Sequence, residues 1–142
     1  MFLGEHQHSV DEKGRLVMPA KFRHRLADGI VVTKGKEGCL FAYPMDRWGE
    51  ELDRMKSLPD TKENRNVARA FLGGASDQKL DKQGRVQLPQ ALRSFARLDK
   101  EVIVVGVGDL VEIWDIDAWA RLSQQADYLY AEIDEDPGEE GT

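Results

Sequence analysis

The sequence predicts an α+β fold built from two copies of one unit, and three observations carry that prediction. The element Asp11-Glu12-Lys13-Gly14-Arg15 returns as Asp81-Lys82-Gln83-Gly84-Arg85, each followed at the same distance by Pro and Arg. The echo runs further, from Phe2-Leu3-Gly4 and Phe71-Leu72-Gly73 to Trp48 and Trp119, with offsets that drift only from 69 to 71. Matches that keep a common order under such drift mark an internal repeat. Each copy also pairs continuous apolar runs, which favour buried strands, with a stretch whose apolar residues recur at helical spacing. At 142 residues the chain supports one real core but hardly two independent ones, so the copies are expected to share it.

Each unit opens with a short hairpin. Gln7 to Val10 and Arg15 to Met18 read as strands around a loop that Gly14 closes with a positive φ; Lys79 to Asp81 and Arg85 to Leu88 repeat this around Gly84. Pro19 and Pro89 stop the second strand and open short helices, Ala20 to Leu26 and Gln90 to Ala96. Core strands follow at Ile30 to Thr33 and Cys39 to Tyr43, and again at Val102 to Val107 and Leu110 to Trp114. A helix from about Met45 to Lys56 carries Trp48, Leu52 and Met55 on one face; its counterpart, Asp117 to about Ile133, offers Trp119, Leu122, Ala126 and Leu129, and both stripes are expected to pack on the core. Asp46 and Asp117 sit where a carboxylate favours a helix start. The periodicity of Asn64 to Leu72 predicts a third helix. The expected organisation is one domain over 1–131, with repeats at about 1–60 and 71–131 joined by an ordered helix at 61–72, and an acidic disordered tail over 132–142.

Charge and composition exclude several classes of function. The net charge of −6 is that of the tail: residues 132–142 hold six acids and no base, and the remainder is balanced. Lys13, Arg15, Lys21, Arg23, His24 and Arg25 cluster, so a basic patch survives the acidic total. No apolar run reaches membrane-spanning length, and Glu5 stands where a signal peptide needs bases, which predicts a cytoplasmic protein with no membrane partner. Cys39 lies in an apolar run with no base beside it, as a small core residue would. His6 and His8 share a strand face but lack a third ligand, so no metal site is expected. Ser9, Ser57, Ser76, Ser94 and Ser123 sit in no nucleophile elbow and no phosphate-binding Gly-rich loop occurs. Neither an enzyme, a cofactor nor a small-molecule substrate is expected.

The repeated element itself has two open roles. The Asp at the loop entry and the Arg at its exit can brace an ordinary turn. The carboxylate can equally hold the guanidinium ready for a planar acceptor pair, the geometry by which Arg meets guanine O6 and N7 in the major groove. Lys13 and Lys82 would then meet phosphates.

Phe2-Leu3-Gly4, Asp11-Glu12-Lys13-Gly14-Arg15-Leu16, Pro19-Ala20-Lys21-Phe22-Arg23, Asp81-x-x-Gly84-Arg85 and Glu112-Ile113-Trp114-Asp115 resemble the MraZ family of bacterial transcriptional regulators, over residues 1 to about 130. The resemblance implies a β-rich barrel of two fused, pseudo-symmetric AbrB/MazE-like swapped-hairpin units with flanking helices. It implies binding to double-stranded DNA at G-rich direct repeats upstream of the protein's own operon in the division and cell-wall gene cluster. A ring-shaped homo-oligomer and association with the nucleoid go with it. Carried over by position, the DNA box falls on Asp11, Arg15, Asp81 and Arg85, with Lys13, Lys82 and Arg23 beside it at phosphates. An antitoxin-like module that holds a protein partner through the acidic tail is the alternative.

Overall fold

The computed structural model describes residues 1–133. Strand β1 (Phe2–Ser9) leads through a tight loop to β2 (Arg15–Val17), then α1 (Ala20–Arg23) with a 3-10 turn (His24–Leu26), β3 (Ile30–Lys34), β4 (Leu40–Pro44) and α2 (Met45–Lys56). After α3 (Lys62–Gly73) come β5 (Ser76–Gln78), β6 (Arg85–Gln87), α4 (Gln90–Phe95), β7 (Glu101–Gly108), β8 (Val111–Asp115) and α5 (Ile116–Glu132). The fold is α+β, as its alternating runs predicted.

Six strands form one antiparallel sheet in the order β1-β7-β8-β4-β3-β5, and β2 with β6 forms a separate two-stranded ribbon. The strands do not close into a single barrel ladder: β1 and β5 end the large sheet, and only an isolated bridge between Val10 and Leu16 ties β1 to the ribbon. Alternation along the strands explains the layering. Val32, Leu40, Ala42, Val104 and Ile113 face the ribbon and meet Leu16, Met18, Val86 and Leu88 in the main core. Phe22 and Leu92, on α1 and α4, plug the same core. Ile103, Val105 and Trp114 face the other way, where Trp119 and Leu122 of α5 cover them. Both faces of the sheet are therefore covered, as the continuous apolar runs required.

Several expectations change. The turns at Gly14 and Gly84 form, but the first hairpin extends past its turn only by the single Val10–Leu16 bridge, and β6 pairs with no strand of its own half. β2 pairs with β6 of the other half, Leu16 opposite Val86, and β1 pairs along its length with β7. This pairing sets Leu16 and Val86 side by side in the shared main core, each with zero exposure. Lys79 to Asp81 is not a strand; Ser76–Gln78 is, paired to β3. The Gln78 side chain replaces the missing ladder, its amide donating to Gln87 O at 2.8 Å and its oxygen accepting from Gln87 N at 2.7 Å. The α2 stripe is half-buried, and Glu51 is the one buried residue of that helix. On α5 the stripe ends early: Trp119 and Leu122 are half-buried, but Ala126 and Leu129 are exposed. Asp46 and Asp117 do stand in the first turns of α2 and α5, while the N-cap of α5 is Asp115, which accepts from the amides of Asp117 and Ala118. The acidic tail lies, beyond Ile133, outside the described residues; Glu132 within it is the last residue of α5.

Candidate nucleic-acid interface

The two repeated loops fold alike, hydrogen bond for hydrogen bond. Asp11 N donates to Arg15 O at 3.0 Å and Gly14 N to Asp11 O at 2.9 Å; Asp81, Arg85 and Gly84 repeat the pattern at 3.1 and 2.9 Å. Closing so short a loop requires φ of +82° at Gly14 and +77° at Gly84, which glycine adopts without strain. Inside each loop one carboxylate does three jobs. Asp11 Oδ1 accepts from the amides of Lys13 and Arg15 at 2.9 Å, and Oδ2 accepts from Arg15 Nε at 2.7 Å. Asp81 does the same with the amides of Gln83 and Arg85 and with Arg85 Nε, at the same distances. Donation to the charged carboxylate, above all from the Arg15 and Arg85 backbone amides, holds both Asp pKa values below the ordinary carboxylate range. At neutral pH each Asp is ionised and grips its arginine from the Nε side, leaving the terminal guanidinium nitrogens without a protein partner among the described residues.

The ribbon brings the two arginines to one place. Arg15 lies opposite Gln87 and Arg85 opposite Val17, so the arginines are diagonal neighbours on the face away from buried Leu16 and Val86. The pairing continues into the loops, Met18 N donating to Gly84 O at 2.9 Å and Leu88 N to Gly14 O at 2.8 Å. Gln87 Nε2 also donates to Lys13 O at 2.6 Å. A second pair of arginines braces the first. Arg23 Nε donates to Met18 O at 3.0 Å, and its guanidinium lies against Gly84 so closely that a Cβ there would stand 2.6 Å from Cζ. Arg93 Nε donates to Leu88 O at 2.9 Å and lies against Gly14 in the same way, a Cβ there standing 3.0 Å from Cζ. Each loop is thus backed by an arginine from the other half of the chain.

The expected residues Asp11, Arg15, Asp81 and Arg85 therefore come together on one ribbon. Lys13 and Lys82 are both exposed but not equivalent: Gln83 holds the place of Lys13, and Lys82 that of Glu12. Arg23 is half-buried behind the second loop. Arg93, Gln87 and Gln78 were not among the expected site residues. For Arg93 the signal was present, since it repeats Arg23; nothing in the sequence distinguishes the two glutamines from surface residues. His6 and His8 lie beside this cluster on β1. Partial burial, then the neighbouring His6 and Arg23, lowers the His8 pKa, while His6 Nε2 is buried without a partner beside Phe22.

The family model described as "MraZ protein, putative antitoxin-like" matches this chain twice, at residues 1–70 and 71–136. The chain belongs to the MraZ family. Among its relatives is the Transcriptional regulator MraZ of Desulforamulus reducens, 48% identical over 136 residues, covering 95% of this chain and 96% of that one. The protein of the same name from Pelotomaculum thermopropionicum is 49% identical over 136 residues, covering 95% and 94%. That of Natranaerobius thermophilus is 46% identical over 137 residues, covering 96% of each. The two MraZ matches meet at residues 70 and 71, within α3, so each contains one Asp-x-x-Gly-Arg loop. No helix among the described residues is long and apolar enough to cross a membrane.

Proposed function

We propose that this chain is a transcriptional regulator that binds double-stranded DNA in a sequence-specific way through the β2/β6 ribbon. The observation that carries the reading is the matched pair of Asp-held arginines on one exposed ribbon face. A two-stranded ribbon fits the major groove of B-DNA, and a guanidinium held at Nε presents its two terminal nitrogens to guanine O6 and N7. Holding the side chain in the free protein removes part of the rotamer entropy that binding would otherwise cost. Lys13 and Lys82 meet phosphates at the loop tips, and Arg23 brings its terminal nitrogens to the same strands while its Nε braces the loop. Asp11 and Asp81 orient the arginines.

We further infer that the two halves are fused, pseudo-symmetric swapped-hairpin units over 1–131 whose two sheets form the walls of an open barrel. The pairings β1 with β7, β5 with β3, β4 with β8 and β2 with β6, each joining one half to the other, support this. The targets are G-containing direct repeats upstream of the protein's own operon in the division and cell-wall cluster, bound in the cytoplasm at the nucleoid by a ring-shaped homo-oligomer. A charge-balanced body binds one repeat weakly, so several linked protomers on several repeats supply the affinity. Gel-shift titration with intact and scrambled repeats tests this. Arg15→Ala and Arg85→Ala should each cost about 1–3 kcal/mol per engaged site and blunt discrimination at a guanine, whereas Lys13→Ala should weaken all sequences alike and lower the salt slope by about one. Equal affinity of the unmodified protein for both probes would overturn the reading.

A further inference from the structure

The sheet face opposite the ribbon is unevenly covered. Between α2 and α3, over β3 and β4, lies a groove of about 370 Å³ floored by Tyr43, Met55 and Phe71. Its rim leaves the large apolar side chains Val67 (44%) and Phe95 (41%) part-exposed, with Lys34 Nζ over the Phe95 ring at 5.7 Å from its centroid. Four bases line it, Lys34, Lys36, Arg47 and Arg54, against one acid. That acid, Glu51, is buried and already held by Arg47 at 2.8 Å and Arg54 at 2.9 Å. Arg47 also binds Asp109 at 2.8 Å, so the positive edge of this apolar-floored groove is carried by Lys34, Lys36 and Arg54.

The end of α5 has the opposite character. Only its first half packs on the sheet, through Trp119 and Leu122. From Gln124 to Ile133 every residue is exposed, and Gln124 to Glu132 extends about 13 Å at the helical rise. This projection carries Tyr128 (67% exposed), Leu129 (62%) and Tyr130 (80%), with Ile133 just beyond. Its charges are Asp127 and Glu132, and residues 122–142 contain no base at all. Ala126, Leu129 and Tyr130, at i, i+3 and i+4, share one exposed side of this helix as an apolar stripe, with Tyr128 turned away from it. Such an exposed stripe marks an interaction surface, and an amphipathic helix end laid into an apolar groove is a recurrent mode of recognition.

We propose that the α5 end of one copy docks in the α2/α3 groove of the next copy, with the apolar stripe on the groove floor and the acids against its basic rim. Groove and stripe are different patches of the same chain, so the contact is head-to-tail and repeats until the assembly closes or extends. It leaves the DNA ribbon, on the other face of the sheet, open in every protomer. This assignment rests on the self-association proposed above, not on the reading of DNA.

Sedimentation velocity on the full chain tests it. The wild type should sediment above the mass of a dimer. Leu129→Glu and Val67→Glu, both at exposed positions, should each fall to the mass of the single chain; Tyr130→Glu and Phe95→Glu provide a second pair, with circular dichroism reporting the fold of each. The decisive sample is an equimolar mixture of Leu129→Glu with Val67→Glu. One intact helix end and one intact groove remain, so the mixture should form a dimer and nothing larger. A variant of either surface that keeps the wild-type mass, or a mixture that stays monomeric where the wild type associates, overturns the assignment while leaving self-association standing. A monomeric wild type overturns both.

Discussion

Asp11 and Asp81 connect the backbone of the site to its chemistry, and their protonation sets the acid limit of both. The folded pKa lies below the unfolded value of about 3.9, so the stabilisation is complete above that value and is lost as pH falls through the folded one. Between pH 5 and 8 these clamps contribute no pH dependence to binding. A carboxylate-detected NMR titration should place both midpoints below the ordinary range. In Arg15→Ala the Asp11 midpoint should rise but stay depressed, because the backbone amides of Lys13 and residue 15 still donate to it; full return to the ordinary value would contradict the geometry. Asp11→Asn separates turn from clamp. Asn keeps an oxygen for the two amides but turns an N–H toward Arg15 Nε, so the loop should hold while the arginine is released. Affinity for an intact repeat is expected to fall about ten- to a hundredfold, the equivalent of one charge-assisted hydrogen bond, with little change in the urea midpoint.

At the scale of elements, the ribbon and its bracing arginines form one unit. Gly84→Ala should destabilise the protein by about 1–3 kcal/mol, since a positive φ and the Arg23 guanidinium both oppose a Cβ there. In an Arg23→Ala background the steric part disappears and the conformational part remains, so urea denaturation of the double-mutant cycle should show a coupling between the two positions. A strictly additive result would place Arg23 away from the loop. This bracing shows where the sequence was legible. The turns at Gly14 and Gly84 were, because glycine in Asp-x-x-Gly is a local signal, and so was α2, because Pro44 and a regular stripe bound it. The partner of β2 was not: alternation at Leu16 and Met18 shows that a face is buried but not against which strand. β5 was misplaced because the ladder is completed by the Gln78 side chain, and side-chain substitution for backbone leaves no periodicity to detect.

Across the whole molecule the two halves of the sequence are not two halves of the structure. Every strand of residues 1–73 has a partner in the remainder: β1 on β7, β2 on β6, β3 on β5 and β4 on β8. The main core is shared in the same way, with Leu16, Phe22 and Ile30 from the first half against Val86, Leu92 and Val104 from the second. Cys39 lies in the smaller core, where burial pushes its thiol up to about 12, beside Ile103, Val105 and Trp114 of the second half, so it is shielded only while the halves are joined. A chain cut between residues 73 and 74 should therefore give two pieces that each expose one side of every interface and bury too little apolar surface to offset the entropy of ordering. Each piece alone should show no cooperative thermal transition by circular dichroism and should react freely at Cys39 if it contains it. Mixed in equal amounts they should regain both the transition and the protection of Cys39, with a midpoint that depends on concentration because joining is now bimolecular. A first piece that unfolds cooperatively by itself, with Cys39 protected, would mean that the half-unit has a core of its own and that the interleaved pairing is dispensable for folding.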